Sequence, residues 1–129
     1  MNRTSINPSA WSTNLGFDQA VLIENPTRSL VCSGQDAVDA DGQAQHPGDM
    51  AAQLELALDN LEAVLAGADM TLADVVRLTV YATDMDELFK HWSKLQDRFA
   101  GNRFATSLLG VTQLPAPGLV ILLEATAVD

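Results

Sequence analysis

The chain has 129 residues, which we predict form one domain over residues 1–129, and its 47% hydrophobic content excludes a disordered protein. Seventeen acidic residues against seven basic ones give a formal net charge of −10, and no stretch contains a basic cluster. Because nucleic acids and anionic membranes are bound through Lys and Arg, we expect no nucleic-acid partner and no membrane partner.

The first third of the chain predicts two strands after an irregular start. Residues 1–16 carry no regular pattern, and strands are predicted at about 17–24 and 29–34 with an Asn-Pro-Thr turn signal between them. The polar residues 39–43 include Asp-Gly, which favours a turn with positive φ.

A long helix is predicted over residues 49–66, where the apolar period changes from two to about 3.6. Asp49 suits the N-cap, and Gly67 suits the C′ position after the helix. The apolar stripe consists of Leu54, Leu58, Leu61 and Leu65.

The second half of the chain predicts a strand, a helix and two closing strands. Residues 75–81 alternate and are β-branched, and a helix begins at Asp84, where Glu87 completes a capping-box pattern. Strands at about 103–113 and 119–128 flank a Pro- and Gly-containing loop. The order ββαβαββ predicts an α+β fold with both helices on one face of a sheet.

The last strand is apolar on both faces instead of alternating, which is typical of a strand buried on both sides. Two helices can cover only one side of the sheet, so we expect a second copy of the chain on the other. Glu124 interrupts this apolar strand. It either hydrogen-bonds backbone amides or an arginine across an interface, or it orients or protonates a bound ligand or holds a water.

Other chemical motifs are absent from the sequence. No phosphate loop, dinucleotide fingerprint or nucleophile elbow occurs, and His46 and His91 stand apart from Cys and carboxylates, so we expect no metal site. Cys32, the single cysteine, lies in an apolar run and is predicted to be a small buried residue. The polar N-terminus and the absence of a long apolar run favour a cytoplasmic protein.

An ordered set of segments resembles the RidA/YjgF family. Residues 32–35, Cys-Ser-Gly-Gln, resemble its Ser-Gly-Gln element, and residues 75–84 are similar to its central strand and the entry to its second helix. Gln53 and residues 58–65 resemble its first helix, and Leu114-Pro115 with residues 123–128 resemble its closing hairpin. Together these segments cover most of residues 17–128.

The resemblance implies a chorismate-mutase-like fold with a mixed sheet, a homotrimer, and small-metabolite clefts between subunits. It also implies chemistry without a metal or organic cofactor. Active members hydrolyse enamines and imines such as 2-aminoacrylate, releasing ammonia and a 2-keto acid. In them a glutamate on the last strand positions water, which here is Glu124, and the loop serine and neighbouring backbone, here Ser33 and Gly34, contact the ligand.

Four further ligand-binding positions depart from the family pattern. The family's carboxylate-gripping arginine falls on Thr106, its frequent cysteine on Leu108, its tyrosine nearest to Phe17, and its asparagine at Trp92. Arg103 lies an odd number of residues from Thr106, which on a regular strand places it on the opposite face unless a bulge intervenes.

These departures leave three functions open. The first is a trimeric protein that binds a small, less anionic metabolite with slow or absent deaminase activity. The second is an active enamine/imine deaminase, a hydrolase, whose substrate lacks the usual carboxylate or is held by another cation. The third is a protein-binding trimer without enzymatic activity.

Overall fold

The computed structural model describes all 129 residues and contains a mixed sheet with its helices on one face. The main sheet has the order β3-β7-β5-β6, in which only β5 and β6 run parallel, and the short strand β4 also pairs with β7. The strands are β1 (Asn2–Ile6), β2 (Ala20–Glu24), β3 (Ser29–Val31), β4 (Gln35–Asp36), β5 (Val75–Ala82), β6 (Ala105–Gly110) and β7 (Ile121–Val128). The helices are α1 (Met50–Ala66), α2 (Met85–Lys90) and α3 (Trp92–Phe99).

The N-terminal segment contains a strand that the sequence pattern does not predict. β1 pairs antiparallel with β2, so residues 1–16 are not wholly irregular. Its residues are mostly polar and exposed, which removes the alternation that normally predicts a strand. The Arg3 guanidinium donates to the backbone carbonyls of Ala73, Val75 and Arg103, and these contacts fasten the hairpin to the main sheet.

Helix α1 begins and ends as predicted, and only the capping position of Gly67 differs. The Asp49 side chain accepts a hydrogen bond from the Ala52 amide at 3.1 Å, which confirms the N-cap. Gly67 is the C-cap residue, with a φ of −60°, and thus lies one position before the predicted C′. The chain turns two residues later at Asp69, whose φ is +56°.

The second predicted helix is broken at His91 into α2 and α3. Asp84 accepts from the Glu87 amide at 3.1 Å, as its N-cap position predicts. The Glu87 carboxylate pairs with Lys90 at 2.6 Å, so only half of the predicted capping box forms. With β1, β4 and this break, the order becomes ββββαβααββ.

A single arginine forms the ion pairs between helices α1 and α3. Arg98 on α3 binds Glu55, Asp59 and Glu62 on α1, with N–O distances of 2.7–2.8 Å. Burial lowers the pKa of Arg98, but its hydrogen bonds to these carboxylates outweigh that effect and raise the pKa overall. None of the helices combines the length and apolarity needed to cross a bilayer.

Gln53 is a fully buried polar residue that connects α1 to the loop before β7. Its amide nitrogen donates to the carbonyls of His46 at 2.9 Å and Gly118 at 2.7 Å, and its oxygen accepts from the Val120 amide at 2.8 Å. Since buried polar groups without partners are costly, this side chain satisfies backbone groups that the loops leave unpaired.

Replacing Gln53 by leucine should destabilise the protein strongly. Gln53→Leu keeps a similar volume but leaves the Val120 amide and the Gly118 carbonyl without this partner, which should lower the free energy of unfolding by about 2–4 kcal/mol. Chemical denaturation followed by circular dichroism measures the change. Gln43→Leu, at an exposed position, is the control and should change stability by less than about 0.5 kcal/mol. Equal effects of the two substitutions would contradict this role for Gln53.

Candidate functional site

The two faces of the main sheet have different surroundings, and the strand register decides which residues lie on each. Leu78 on β5 pairs with Ala125 on β7 and with Thr106 on β6, and the first two are buried under the helices. Thr79 pairs with Glu124 on one side and with Ser107 on the other. Because side chains alternate along strands, this second row lies on the opposite face, which we call the open face.

Glu124 lies on the open face and is exposed in the single chain. Its Oε1 atom accepts a hydrogen bond from the Tyr81 hydroxyl at 3.2 Å. Along β7 the residues on the helix side are buried, whereas Leu122, Glu124 and Thr126 are not. Within one chain, β7 is therefore fully buried only on its helix side.

A recess of about 320 Å³ surrounds Glu124 on the open face. Its lining residues are Val31, Cys32, Arg77, Thr79, Glu124, Ala125 and Thr126. Arg77 is an exposed cation. The sequence pattern assigns it to a predicted strand but does not identify it as a site residue. Its position at the start of an otherwise buried strand, on the same side as Thr79 and Tyr81, is the signal that could have identified it.

The Ser-Gly-Gln element lies beside this recess. Cys32 donates its amide to the Ala125 carbonyl and Gln35 pairs with Leu123, so Ser33 and Gly34 lie opposite Glu124. Cys32 is only 5% exposed, which confirms the predicted buried position, and burial raises the pKa of its thiol.

Gly34 allows a close approach that a larger residue would prevent. A Cβ atom at this position would lie 2.5 Å from the Leu122 Cδ2 atom. The Leu122 side chain can therefore pack directly over the backbone of the element.

The residues at the positions where this sequence differs from the family pattern lie away from Glu124. The Thr106 hydroxyl donates to the Leu78 carbonyl at 2.5 Å, and Leu108 packs against the core beneath the helices. Both residues are half-buried on the helix-facing side of β6, the last strand of the main sheet.

Trp92 and Phe17 lie near the N-terminal loop. The Trp92 indole donates to the Leu15 carbonyl at 3.2 Å, and the Phe17 ring meets the Trp11 ring edge-on with centroids 5.6 Å apart. Arg103 lines a separate pocket of about 250 Å³ together with Trp92, not the recess around Glu124.

The predicted site residues thus form two groups in one chain. Ser33 and Gly34 lie opposite Glu124, beside the recess, while Thr106 and Leu108 lie across the sheet from them. No group of three or more metal-ligating side chains converges anywhere in the chain.

Comparison with known proteins gives consistent matches along the chain. A sequence profile described as Endoribonuclease L-PSP matches residues 9–129. A 2-iminobutanoate/2-iminopropanoate deaminase from Rattus norvegicus is 32% identical over 113 residues, covering 88% of this chain and 80% of that protein. Protein DfrA from Myxococcus xanthus is 32% identical over 114 residues, covering 88% and 85%.

Solved structures match the fold closely. YyfB from Yersinia pestis, a protein of the conserved Rid family, superposes with a TM-score of 0.88 and 36% identity over 100% of both chains. A YjgF/YER057c/UK114 family member from Mycobacterium tuberculosis has a TM-score of 0.66 and 33% identity, covering 99% of this chain and 100% of that one. These matches confirm the predicted α+β chorismate-mutase-like fold.

The contact between Tyr81 and Glu124 can be tested by titration, because Tyr81 is the single tyrosine of the chain. Burial, followed by the hydrogen bond to Glu124 and its negative charge, raises the pKa of Tyr81, while Arg77 lowers it. We therefore expect the phenolate absorbance to appear at higher pH than for a free tyrosine, whose pKa is about 10.

Substitutions should move that titration in opposite directions. Glu124→Gln should lower the pKa of Tyr81, and Arg77→Ala should raise it further. Glu24→Gln, on the remote hairpin, is the control and should leave it unchanged. An unaltered titration in Glu124→Gln, with the fold intact by circular dichroism, would show that the two side chains are not in contact.

Proposed function

Because this chain belongs to the RidA/YjgF family, we propose that it forms a homotrimer and binds a small metabolite in clefts between copies. The observation that carries this proposal is the separation of the site residues onto two faces of one sheet. A ligand that contacts both groups needs a second copy, whose β6 edge approaches the recess around Glu124. Metal and organic cofactors have no part in the proposal.

The open face favours contact with another copy. Val31 is 79% exposed and Leu109 is 45% exposed on this face, although both belong to strands of the main sheet. Apolar side chains on an uncovered sheet face are typical of protein interfaces. The same face also carries Arg77 and Glu124, so it offers both charges to a partner.

The composite cleft explains why the two groups belong to one site. Thr106 and Leu108 lie on the terminal strand, where only Ala105 at its start is bridged by Asp18. A neighbouring copy can therefore reach this edge and bring its own Ser33, Gly34 and Glu124 opposite it.

Thr106 determines the proposed specificity of the β6 side of the cleft. Its hydroxyl is already committed to the Leu78 carbonyl, so it offers no free donor to a carboxylate. Losing a bidentate guanidinium contact costs a few kcal/mol, which corresponds to a loss of about 100-fold in affinity. We therefore expect slow or absent deamination of 2-aminoacrylate and 2-iminobutanoate.

A second candidate function is hydrolysis of a less anionic enamine or imine. It is favoured by Glu124, whose Oε1 accepts from Tyr81 and which forms no other hydrogen bond, so Oε2 can bind a water or a ligand. A carboxylate in this position is suited to orient an attacking water.

The matched profile is described as an endoribonuclease, but we do not propose RNA cleavage for this chain. The net charge of −10 opposes the approach of a polyanion. Arg28, Lys90 and Arg98 are engaged in ion pairs, and Arg3 is bound to backbone carbonyls, which leaves three cations for any other contact.

Introducing a charge on the open face should break the trimer. Val31→Asp places a carboxylate on the face that we propose is covered, so the trimer should dissociate while the protomer remains folded. Light scattering coupled to size exclusion measures the mass. Val64→Asp, at a position that is 36% exposed on α1, is the matched control and should stay trimeric. A monomeric wild type, or a trimeric Val31→Asp variant, would contradict the proposed interface.

An arginine at position 106, where the family pattern has one, should allow the β6 side of the cleft to bind keto acids. Thr106→Arg should raise the affinity for 2-oxobutanoate by about 10-fold or more and accelerate keto-acid release from 2-iminobutanoate generated by a dehydratase. Thr106→Gln tests whether size alone has this effect and should not reproduce it. Wild-type deamination as fast as that of the rat deaminase, or activity that survives Glu124→Ala, would contradict the roles of these residues.

A further inference from the structure

We propose that Arg77 and Glu124 form a binding site on the open face for a small molecule that carries both a carboxylate and a protonated amine, such as an α-amino acid. Arg77 takes the carboxylate and Glu124 takes the ammonium group. This inference rests on the proposed function in one respect, that the recess around Glu124 is a ligand site.

The contacts of the seven basic side chains distinguish Arg77 from the others. Four of the seven Lys and Arg residues are occupied by carbonyls or carboxylates, as described above. The other three, Arg77, Lys94 and Arg103, form neither an ion pair nor a side-chain hydrogen bond to a carbonyl. Of these, Arg77 alone lines the recess that contains Glu124.

Arg77 and Glu124 share this recess without pairing. Arg77 lies opposite Thr126 and Glu124 lies opposite Thr79, so the two are diagonal neighbours, which in antiparallel strands are about 7–8 Å apart. Long side chains of opposite charge at that separation usually reach each other. Here their charged atoms do not come within 4.0 Å.

Tyr81 explains why the pair stays open. Its hydroxyl binds Glu124 Oε1 at 3.2 Å from the far side of Thr79, away from Arg77. The carboxylate is therefore held from one side, and the guanidinium keeps all its donors available on the other. A short zwitterion between them would present charges that are complementary to the two side chains.

The rest of the recess suits a small ligand. Thr79 and Thr126 contribute polar side chains, and the exposed Val31 contributes apolar surface for a short alkyl group. A volume of about 320 Å³ accommodates a molecule of this size. When another copy covers the open face, the Arg77 charge also needs an anion, because a buried cation without a partner is costly.

The test is an NMR titration of the assembled wild-type protein with three probes. L-alanine carries both charges, pyruvate carries only the carboxylate, and L-alaninamide carries only the ammonium group. We expect L-alanine to bind more tightly than either of the others. Arg77→Ala should weaken L-alanine binding by about 10-fold or more and leave L-alaninamide unaffected. Glu124→Gln should weaken L-alaninamide and leave pyruvate unaffected.

Two control variants sharpen the result. Arg103→Ala removes an unpaired arginine outside the recess and should leave all three affinities unchanged. Arg77→Lys keeps the charge without the planar fork, so it should recover part of the L-alanine affinity.

Several outcomes would overturn the inference. One is L-alanine binding no better than L-alaninamide to the wild type, and another is an Arg77→Ala variant that binds L-alanine like the wild type. A third is loss of trimer mass in Arg77→Ala with unchanged affinity in the remaining trimer, which would assign Arg77 to a neighbour's carboxylate. The proposed function fails separately, through the mass of Val31→Asp and the activity of Thr106→Arg, neither of which involves Arg77.

Discussion

The pairing of β7 with its neighbours is the constraint on which the other features depend. This strand pairs with β3, β4 and β5, and its alternation places Ala125 under the helices and Glu124 on the open face. A shift of one residue would exchange the two faces and bury the carboxylate in the core. The hydrophobic residues of the helix face therefore determine where the candidate catalytic group lies.

The strongest patterns in the sequence predicted the corresponding elements well. Helix α1 and strand β5 both follow from periodicity, because each buries a full face against the core. Strand β1 was missed, since it is polar and its place depends on the contacts of Arg3 with residues some 70 positions away or more. The break at His91 was missed too, because the apolar spacing continues through it.

The candidate site could be predicted only in part. Glu124 follows from its place in an apolar strand, and Ser33 and Gly34 follow from the resemblance; the structure places the two groups opposite each other. The separation of Thr106 from Glu124 could not be derived, because it depends on register between three strands. Arg77 was missed for a similar reason: periodicity identifies β5 as buried but does not show that one of its faces opens beside Glu124.

The hydrogen bonds of Gln53 have an evolutionary consequence for the loop before β7. They hold Gly118 and Val120 to α1, and the Gly48 amide also donates to the Gly118 carbonyl at 2.9 Å. Gly118 has a φ of +85° and lies too close to Pro47 for a side chain, which makes this a fixed point of the backbone. Insertions or deletions over residues 111–117 would therefore be absorbed upstream of that point, so the loop can change length while the last strand keeps its alignment.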